Sequence, residues 1–256
     1  MSEPTLLLDE KNTVGVIARS ALVLRALGDA QTGLSLGQIA KRVGLARSTV
    51  QRLIAALELE GLVTTGTGAG QIALGLEFFR LAQRARPKIL ERLHPLMESL
   101  SRELGETVDL SIINRDQLLF VDQVIGAQRL LAVSHIGDSF PLYCTSIGKA
   151  YLSTLSTADV LKSIGDVYAR RTQHTLTTLE ALIPSLAEIR KTGIGTDLEE
   201  HSEGICALGV VIRDGAQLFG LSVPIPVQRF EGKRSRIAQA LLDIKTQIGG
   251  TPAASL

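Results

Sequence analysis

Between Ser35 and Leu57 the sequence writes two short amphipathic helices separated by three residues, and this pattern limits the fold more than any other stretch. Ser35-Leu36-Gly37-Gln38 has the form of a capping box, in which the hydroxyl takes the third amide and the Gln reaches back to the cap. The helix it opens buries Leu36, Ile39, Ala40 and Val43, and Gly44 stops it. After the connector Gly44-Leu45-Ala46, Val50, Leu53, Ile54 and Leu57 follow the i, i+3, i+4, i+7 rule of a second helix beginning near Arg47. An earlier helix is predicted from Val16, Leu22, Val23, Ala26 and Leu27, ending at Gly28. Two β-prone segments, 62–65 and 71–74, flank the hairpin loop Gly66-Thr67-Gly68-Ala69-Gly70. Helix, helix, turn, helix, hairpin is the order of a winged helix-turn-helix domain, assigned to residues 1–74.

With its apolar positions turned inward, the third helix leaves Arg47, Ser48, Thr49, Gln51 and Arg52 outside near its N-terminal end. A helix fits the DNA major groove, where Arg pairs with guanine, Gln with adenine, and Ser or Thr with bases or phosphates. Charge supports the same face. The whole chain carries a net +1, yet residues 1–86 hold ten Lys/Arg against seven Asp/Glu, and no acid stands between Asp29 and Glu58. A basic patch inside a neutral protein points to a polyanion on one face. On charge alone a solvated helix face is the better reading; the helix spacing and the wing together favour double-stranded DNA. Ser35, at a helix start, and Gln71, beside the wing, complete the candidate contacts. Ala46 offers no side-chain cap to the third helix.

The remainder alternates differently. Residues 75–87 read as a linker helix, with Pro87 ending it or beginning the next, and 88–256 as a second domain. There an apolar helix (Leu90, Leu93, Met97, Leu100, Leu104) precedes strand-like segments at 107–113, 117–124 and 129–136, the first turn being Asn114-Arg115-Asp116. Helices follow near 146–155, 157–164 and 177–191, the last with a capping box at Thr177 and Glu180. Strands return at 193–197, 205–212 and 217–223, joined by Arg213-Asp214-Gly215, before a terminal helix over 230–248. Two groups of strands with segregated helices argue α+β with an antiparallel sheet. Hydrophobic residues at 45% over 256 positions suffice for two cores, and 21% charge excludes a disordered polyelectrolyte. The longest uncharged apolar run, 205–212, is far too short for a membrane span, and residues 1–10 carry no basic start or cleavage site. Two cysteines, Cys144 and Cys206, give no disulfide framework and no zinc spacing, which fits a reducing cytoplasm.

The stretch from Leu34 to Leu57, followed by Glu60-Gly61-Leu62-Val63, resembles the winged helix of IclR-type transcriptional regulators. Gly105-Glu106-Thr107-Val108, Pro141-Leu142 with 145–150, and 197–204 resemble that family's ligand-domain motifs in the same order. The resemblance implies a GAF-like α+β effector domain, a dimer or dimer of dimers, and control by a small carboxylic or aromatic molecule. The candidate effector site comprises Phe140, Leu142, Ser146, Ile147, Gly148, Asp197, Ile205, Ala207 and Ser222, where the free amides and dipole at the start of the helix at Ser146 could hold a ligand carboxylate. Packing alone would also favour Phe140, Leu142, Ile205 and Ala207, so Ser146, Asp197 and Ser222 carry the binding signal. Two departures stand out: the wing tip lacks charged or aromatic residues, and Cys206-Ala207 replaces the family's usual Arg-Cys.

The second domain also carries partial signatures of a rival chemistry. Ser146-Ile147-Gly148-Lys149 fits S-x-x-K and Lys191-Thr192-Gly193 fits K-T-G, two signatures of serine acyl-transfer enzymes. S-D-N is absent, and K-T-G falls where a helix end would use Lys and Gly as caps. No catalytic residue is therefore assigned. His94, His135, His174 and His201 show no metal spacing, and neither metal nor cofactor is expected.

Overall fold

The computed structural model describes residues 15–30, 32–66, 71–85, 87–114 and 116–249; the wing tip at 67–70, Arg115 in the expected turn and residues 1–14 lie outside them. The chain divides into two compact units, residues 1–87 and 88–256.

In the first unit, α1 (Gly15–Gly28), α2 (Leu36–Val43) and α3 (Arg47–Leu59) pack around Val23, Leu27, Ile39, Val50, Leu53, Ile54 and Leu57. Each of these apolar positions is buried, as the helical spacing requires. The Ser35 capping box forms: the Ser35 hydroxyl accepts the Gln38 amide at 3.4 Å, and the Ser35 amide donates to Gln38 Oε1 at 2.8 Å. Gly44 ends α2 with φ +66°, a left-handed conformation that lets the chain turn within three residues. The hairpin β1 (Val63–Thr65) and β2 (Ile72–Leu74) is antiparallel, and Leu34 pairs with Ile72 along its free edge. α4 (Glu77–Ala85) buries none of its side chains.

The second unit contains α5 (Ile89–Leu104), β3 (Val108–Asn114), β4 (Gln117–Val124), β5 (Ser139–Pro141), α6 (Ser146–Leu152), α7 (Thr157–Ile164), α8 (Leu179–Thr192), β6 (Gly195–Leu198), β7 (Ile205–Asp214), β8 (Gln217–Pro226) and α9 (Val227–Gly249). One six-stranded antiparallel sheet results, in the order β5-β4-β3-β8-β7-β6. Its alternation explains the two layers. Val108, Leu110, Leu208, Val210, Leu221 and Val223 join the core beneath α5 and α9, while Asp109, Ala207, Gly209, Gly220, Ser222 and Pro224 occupy the opposite parity. α6 lies against that second face because three sheet glycines make room for it. A Cβ on Gly220 would stand 2.0 Å from Ile147 Cγ2, one on Gly195 1.9 Å from the Ser146 carbonyl, and one on Gly209 2.9 Å from Ser146 Oγ.

Three sequence expectations change. Residues 129–136 form no strand, and a three-residue strand, β5, pairs with β4 instead. The 129–136 backbone is committed to side chains: Leu130 O accepts from Arg229 at 2.9 Å and Ser134 O from Gln123 at 2.8 Å. The cap of α8 is Thr178, whose Oγ1 accepts the Ala181 amide at 3.2 Å, because the Thr177 carbonyl is held by the Tyr168 amide. α6 stops at Leu152, where Ser153 turns its hydroxyl back to the Ala150 carbonyl.

Candidate functional site

Helix α3 presents Arg47, Ser48, Gln51 and Arg52 exposed and Thr49 half-buried, all on the side opposite Val50, Leu53 and Ile54. Its first amides carry no side-chain cap, since Ala46 makes no such bond. Free amides and the positive end of a helix dipole are complementary to phosphate. Gln71 is exposed beside the wing. Ser35 differs: its hydroxyl is engaged with Gln38, so its place in the first unit is that of a cap. Arg42, on α2, spends its guanidinium on the Ala26 carbonyl at 3.1 Å and ties α2 to α1.

In the second unit a cavity of about 270 Å³ lies between α6 and the sheet. Seven of the nine residues proposed from sequence line it: Phe140, Ser146, Ile147, Asp197, Ile205, Ala207 and Ser222. Leu142 and Gly148 do not. Leu142 is fully buried in the core under α6, α7 and α8, and Gly148 packs on it so closely that a Cβ would meet the Leu142 carbonyl at 2.2 Å. The Gly148 amide is already used, donating to the N-cap Thr145 Oγ1 at 3.3 Å.

The cavity also contains groups that the sequence reading did not select. Asp109, 1% exposed, accepts from Gln123 Nε2 at 2.7 Å and Ser134 Oγ at 2.9 Å. Burial pushes its carboxyl up to about 6, against the opposing pull of those two donors. Asp197 lies across the sheet, on β6, with Oδ1 accepting the amides of Glu200 at 2.8 Å and His201 at 3.4 Å. Burial first, and then the neighbouring Glu200, raises it to about 7. His201 stacks on Phe140 with ring centroids 4.0 Å apart, and burial lowers it to about 4, so the imidazole is neutral near pH 7. Its Nε2 is buried with no partner among the described residues. The loop carrying His201 turns at Glu199, which has φ +59° and whose carboxylate accepts the Gly204 amide at 2.8 Å. Asp109 had a sequence signal: an acid alternating with Val108 and Leu110 in a buried strand needs a polar destination.

Lys149, the candidate acyl-transfer base, is 1% exposed and turned away from this cavity. Its ammonium is ion-paired with Glu200 and donates to Ser185 Oγ at 3.3 Å. Lys191 stands exposed near the end of α8, opposite Glu188, and Gly193 is the helix cap. Ser146, Lys149 and the K-T-G segment therefore share no constellation of nucleophile and base. Cys206 enters the core beneath α5 and α9, and the position facing the cavity belongs to Ala207.

An apolar cavity with a few polar groups in one unit and a capped helix-turn-helix with a basic exposed face in the other are the parts of a ligand-responsive DNA-binding protein. Residues 16–66 match the model of the IclR helix-turn-helix domain, and residues 83–249 match that of the bacterial transcriptional regulator IclR C-terminal domain. The chain belongs to the IclR family. It is 46% identical over 230 residues to the HTH-type transcriptional regulator Rv1719 of Mycobacterium tuberculosis, covering 90% of this chain and 89% of that one. Against the HTH-type transcriptional regulator TtgV of Pseudomonas putida it is 36% identical, covering 92% and 90%. Among solved structures, an IclR regulator from Alicyclobacillus acidocaldarius superposes with a TM-score of 0.82 at 21% identity, over 93% of this chain and 99% of that one. An IclR homolog of Microbacterium hydrocarbonoxydans, complexed with 4-hydroxybenzoate, superposes with a TM-score of 0.78 at 22% identity, over 92% and 100%. An IclR regulator couples a DNA-binding helix-turn-helix domain to an effector-binding domain, and both are present in this chain. Among the described residues no helix is long and apolar enough to cross a membrane.

Proposed function

We propose that this IclR protein binds a partly palindromic operator through α3 of two subunits and that a small organic effector in the α6 cavity controls that binding. The observation that carries the reading is the division of α3 into a fully buried apolar side and an exposed Arg47, Ser48, Gln51, Arg52 side. One such helix reads only a short half-site, so specificity calls for a second copy related by two-fold symmetry. Leu76, 89% exposed, and Phe79, 68% exposed, give the 75–87 segment the apolar surface for a dimer or a dimer of dimers. Residues 1–74 then act as the DNA-binding domain, 75–87 as the linker and 88–256 as the effector domain. The protein works in the cytoplasm, as a non-enzymatic regulator without a cofactor; Lys149 bound to Glu200 supports the absence of acyl transfer.

Selection of genomic fragments on the immobilised full-length protein, followed by footprinting, tests this reading. It expects protection over two half-sites about one helical turn apart, or a multiple of that. Absence of any enriched fragment at moderate salt would sink it.

A further inference from the structure

Two carboxylates face the α6 cavity, and among the described residues no lysine or arginine lines it. Asp109 comes from β3 in the middle of the sheet and Asp197 from the edge strand β6, so acid stands at separate points of the wall. The cations nearby are committed elsewhere or lie outside. Lys149 is paired with Glu200 behind α6, and Arg229 and Lys233 are both paired with Glu106. Arg171, the cation that acts on His201, is exposed and is not part of the lining. The remaining polar lining is made of the hydroxyl residues Ser134, Thr145, Ser146, Ser202 and Ser222, with the neutral His201. Most of the rest is apolar, with Phe120 edge-on to Phe140 at 4.9 Å and Phe140 stacked on His201.

This chemistry selects by charge. A carboxylate entering the cavity would bring a third acid beside two buried ones, with no cation to pair it. Burial of an unpaired anion is strongly unfavourable, and like charges add to the penalty. Of the amides at the start of α6, that of Gly148 is already held by Thr145. A ligand with O–H or N–H groups meets the reverse situation, because above the raised values of Asp109 and Asp197 both carboxylates are acceptors. An aromatic ring suits the rest, since a cavity near 150 Å³ already holds benzene and this one is about 270 Å³.

We infer that the α6 cavity takes a non-anionic aromatic ligand carrying hydrogen-bond donors, an alcohol, phenol or amine, and discriminates against the matching carboxylate. The inference rests on the reading of this cavity as the effector site and narrows it, since the sequence alone left carboxylic and aromatic effectors together. Asp109 and Asp197 are the residues that set the preference.

Titration calorimetry on the full-length protein at pH 8 with 4-hydroxybenzyl alcohol, 4-hydroxybenzylamine and 4-hydroxybenzoate tests it, because the three share one ring and differ in charge. The alcohol or the amine should bind at least tenfold more tightly than the benzoate. In Asp109→Asn, and separately in Asp197→Asn, that ratio should fall below threefold, through a gain in benzoate affinity. Should either variant fail to fold, the other and the wild-type ratio still decide. Benzoate binding as tightly as the alcohol and the amine, or no binding of any probe, overturns the inference. Operator binding measured on the same samples separates the two levels: a probe that binds selectively without altering DNA affinity contradicts the effector reading while the ligand class stands. Intact operator control by a preferred carboxylate does the opposite.

Discussion

Lys149 and Glu200 form an ion pair inside the second domain, with side chains only 1% and 7% exposed. The pair links α6 to the loop after β6 that carries His201 into the cavity wall, and Ser185 of α8 is the third partner. Glu200 Oε2 has no hydrogen-bond partner among the described residues. Removing one member strands a buried charge, which costs about 3–5 kcal/mol, whereas replacing both by apolar residues of similar volume is often neutral. Lys149→Ala should therefore lower stability by that order in urea unfolding, and Lys149→Met combined with Glu200→Leu should recover most of it.

A second prediction concerns the seat of α6. Ile147 occupies the space that the missing side chain of Gly220 leaves on β8. Gly220→Ala should cost about 1–3 kcal/mol through overpacking. The nearest clash is with Ile147, with Ser111 Oγ next at 2.9 Å, so Ile147→Ala in the same protein should relieve part of it, giving a coupling that a double-mutant cycle detects.

On α3 the two arginines can be told apart by salt. Arg52→Ala should weaken operator binding by about 1–3 kcal/mol and relax the sequence preference if the side chain reads a base. A residue that only neutralises phosphate changes affinity for all sequences alike and lowers the salt slope by about one. Fluorescence anisotropy on operator and scrambled duplexes across a salt series distinguishes these outcomes. Ser35→Ala is expected to act through α2, by loss of a cap worth about 1 kcal/mol.

The buried acids make stability depend on pH with an unusual sign. Asp109 is raised to about 6 and Asp197 to about 7, so the folded protein holds their protons more tightly than the unfolded chain. Their contribution is fully present below the unfolded value near 4 and is lost as pH rises through 6 to 7. His201, lowered to about 4, acts oppositely: its penalty is removed as pH rises from 4 towards 6.5. The groups around Asp109 are Gln123 and Ser134, and those around Asp197 are Glu200, Lys149 and two backbone amides. Asp197→Asn should consequently raise the melting temperature at pH 8 more than at pH 4.5; the reverse order in a thermal-shift series would contradict the assignment.

Helix periodicity made the first domain legible, because each buried position of α2 and α3 recurs at helical spacing and the Ser35 and Gly44 caps mark the ends. Alternation likewise exposed most strands of the second domain. It misplaced 129–136, since Leu130, Leu131 and Val133 look strand-like although the backbone there serves Arg229 and Gln123. Of the candidate cavity residues, Asp197 and Ser222 were found through their polarity and Ile147 through its place in a motif. Asp109 was not: its alternation with Val108 and Leu110 marks it as an acid in an apolar strand, but which cavity it faces depends on β3 lying inside the sheet, a fact of topology that local sequence does not carry. Leu142 and Gly148 were drawn in by proximity to Ser146, and only packing separates a residue on the wall from one beneath it.

The most direct test of the account is reciprocal linkage. Operator affinity is measured with and without a saturating cavity ligand, and ligand affinity with and without operator, on the same full-length protein. Coupling between an effector site and a DNA site is typically about 1–3 kcal/mol, and the two measured factors must be equal. The account predicts equal factors well above one, both abolished by Ser146→Phe while the unliganded protein still binds operator. A ligand that fills the cavity and leaves operator affinity unchanged would contradict it.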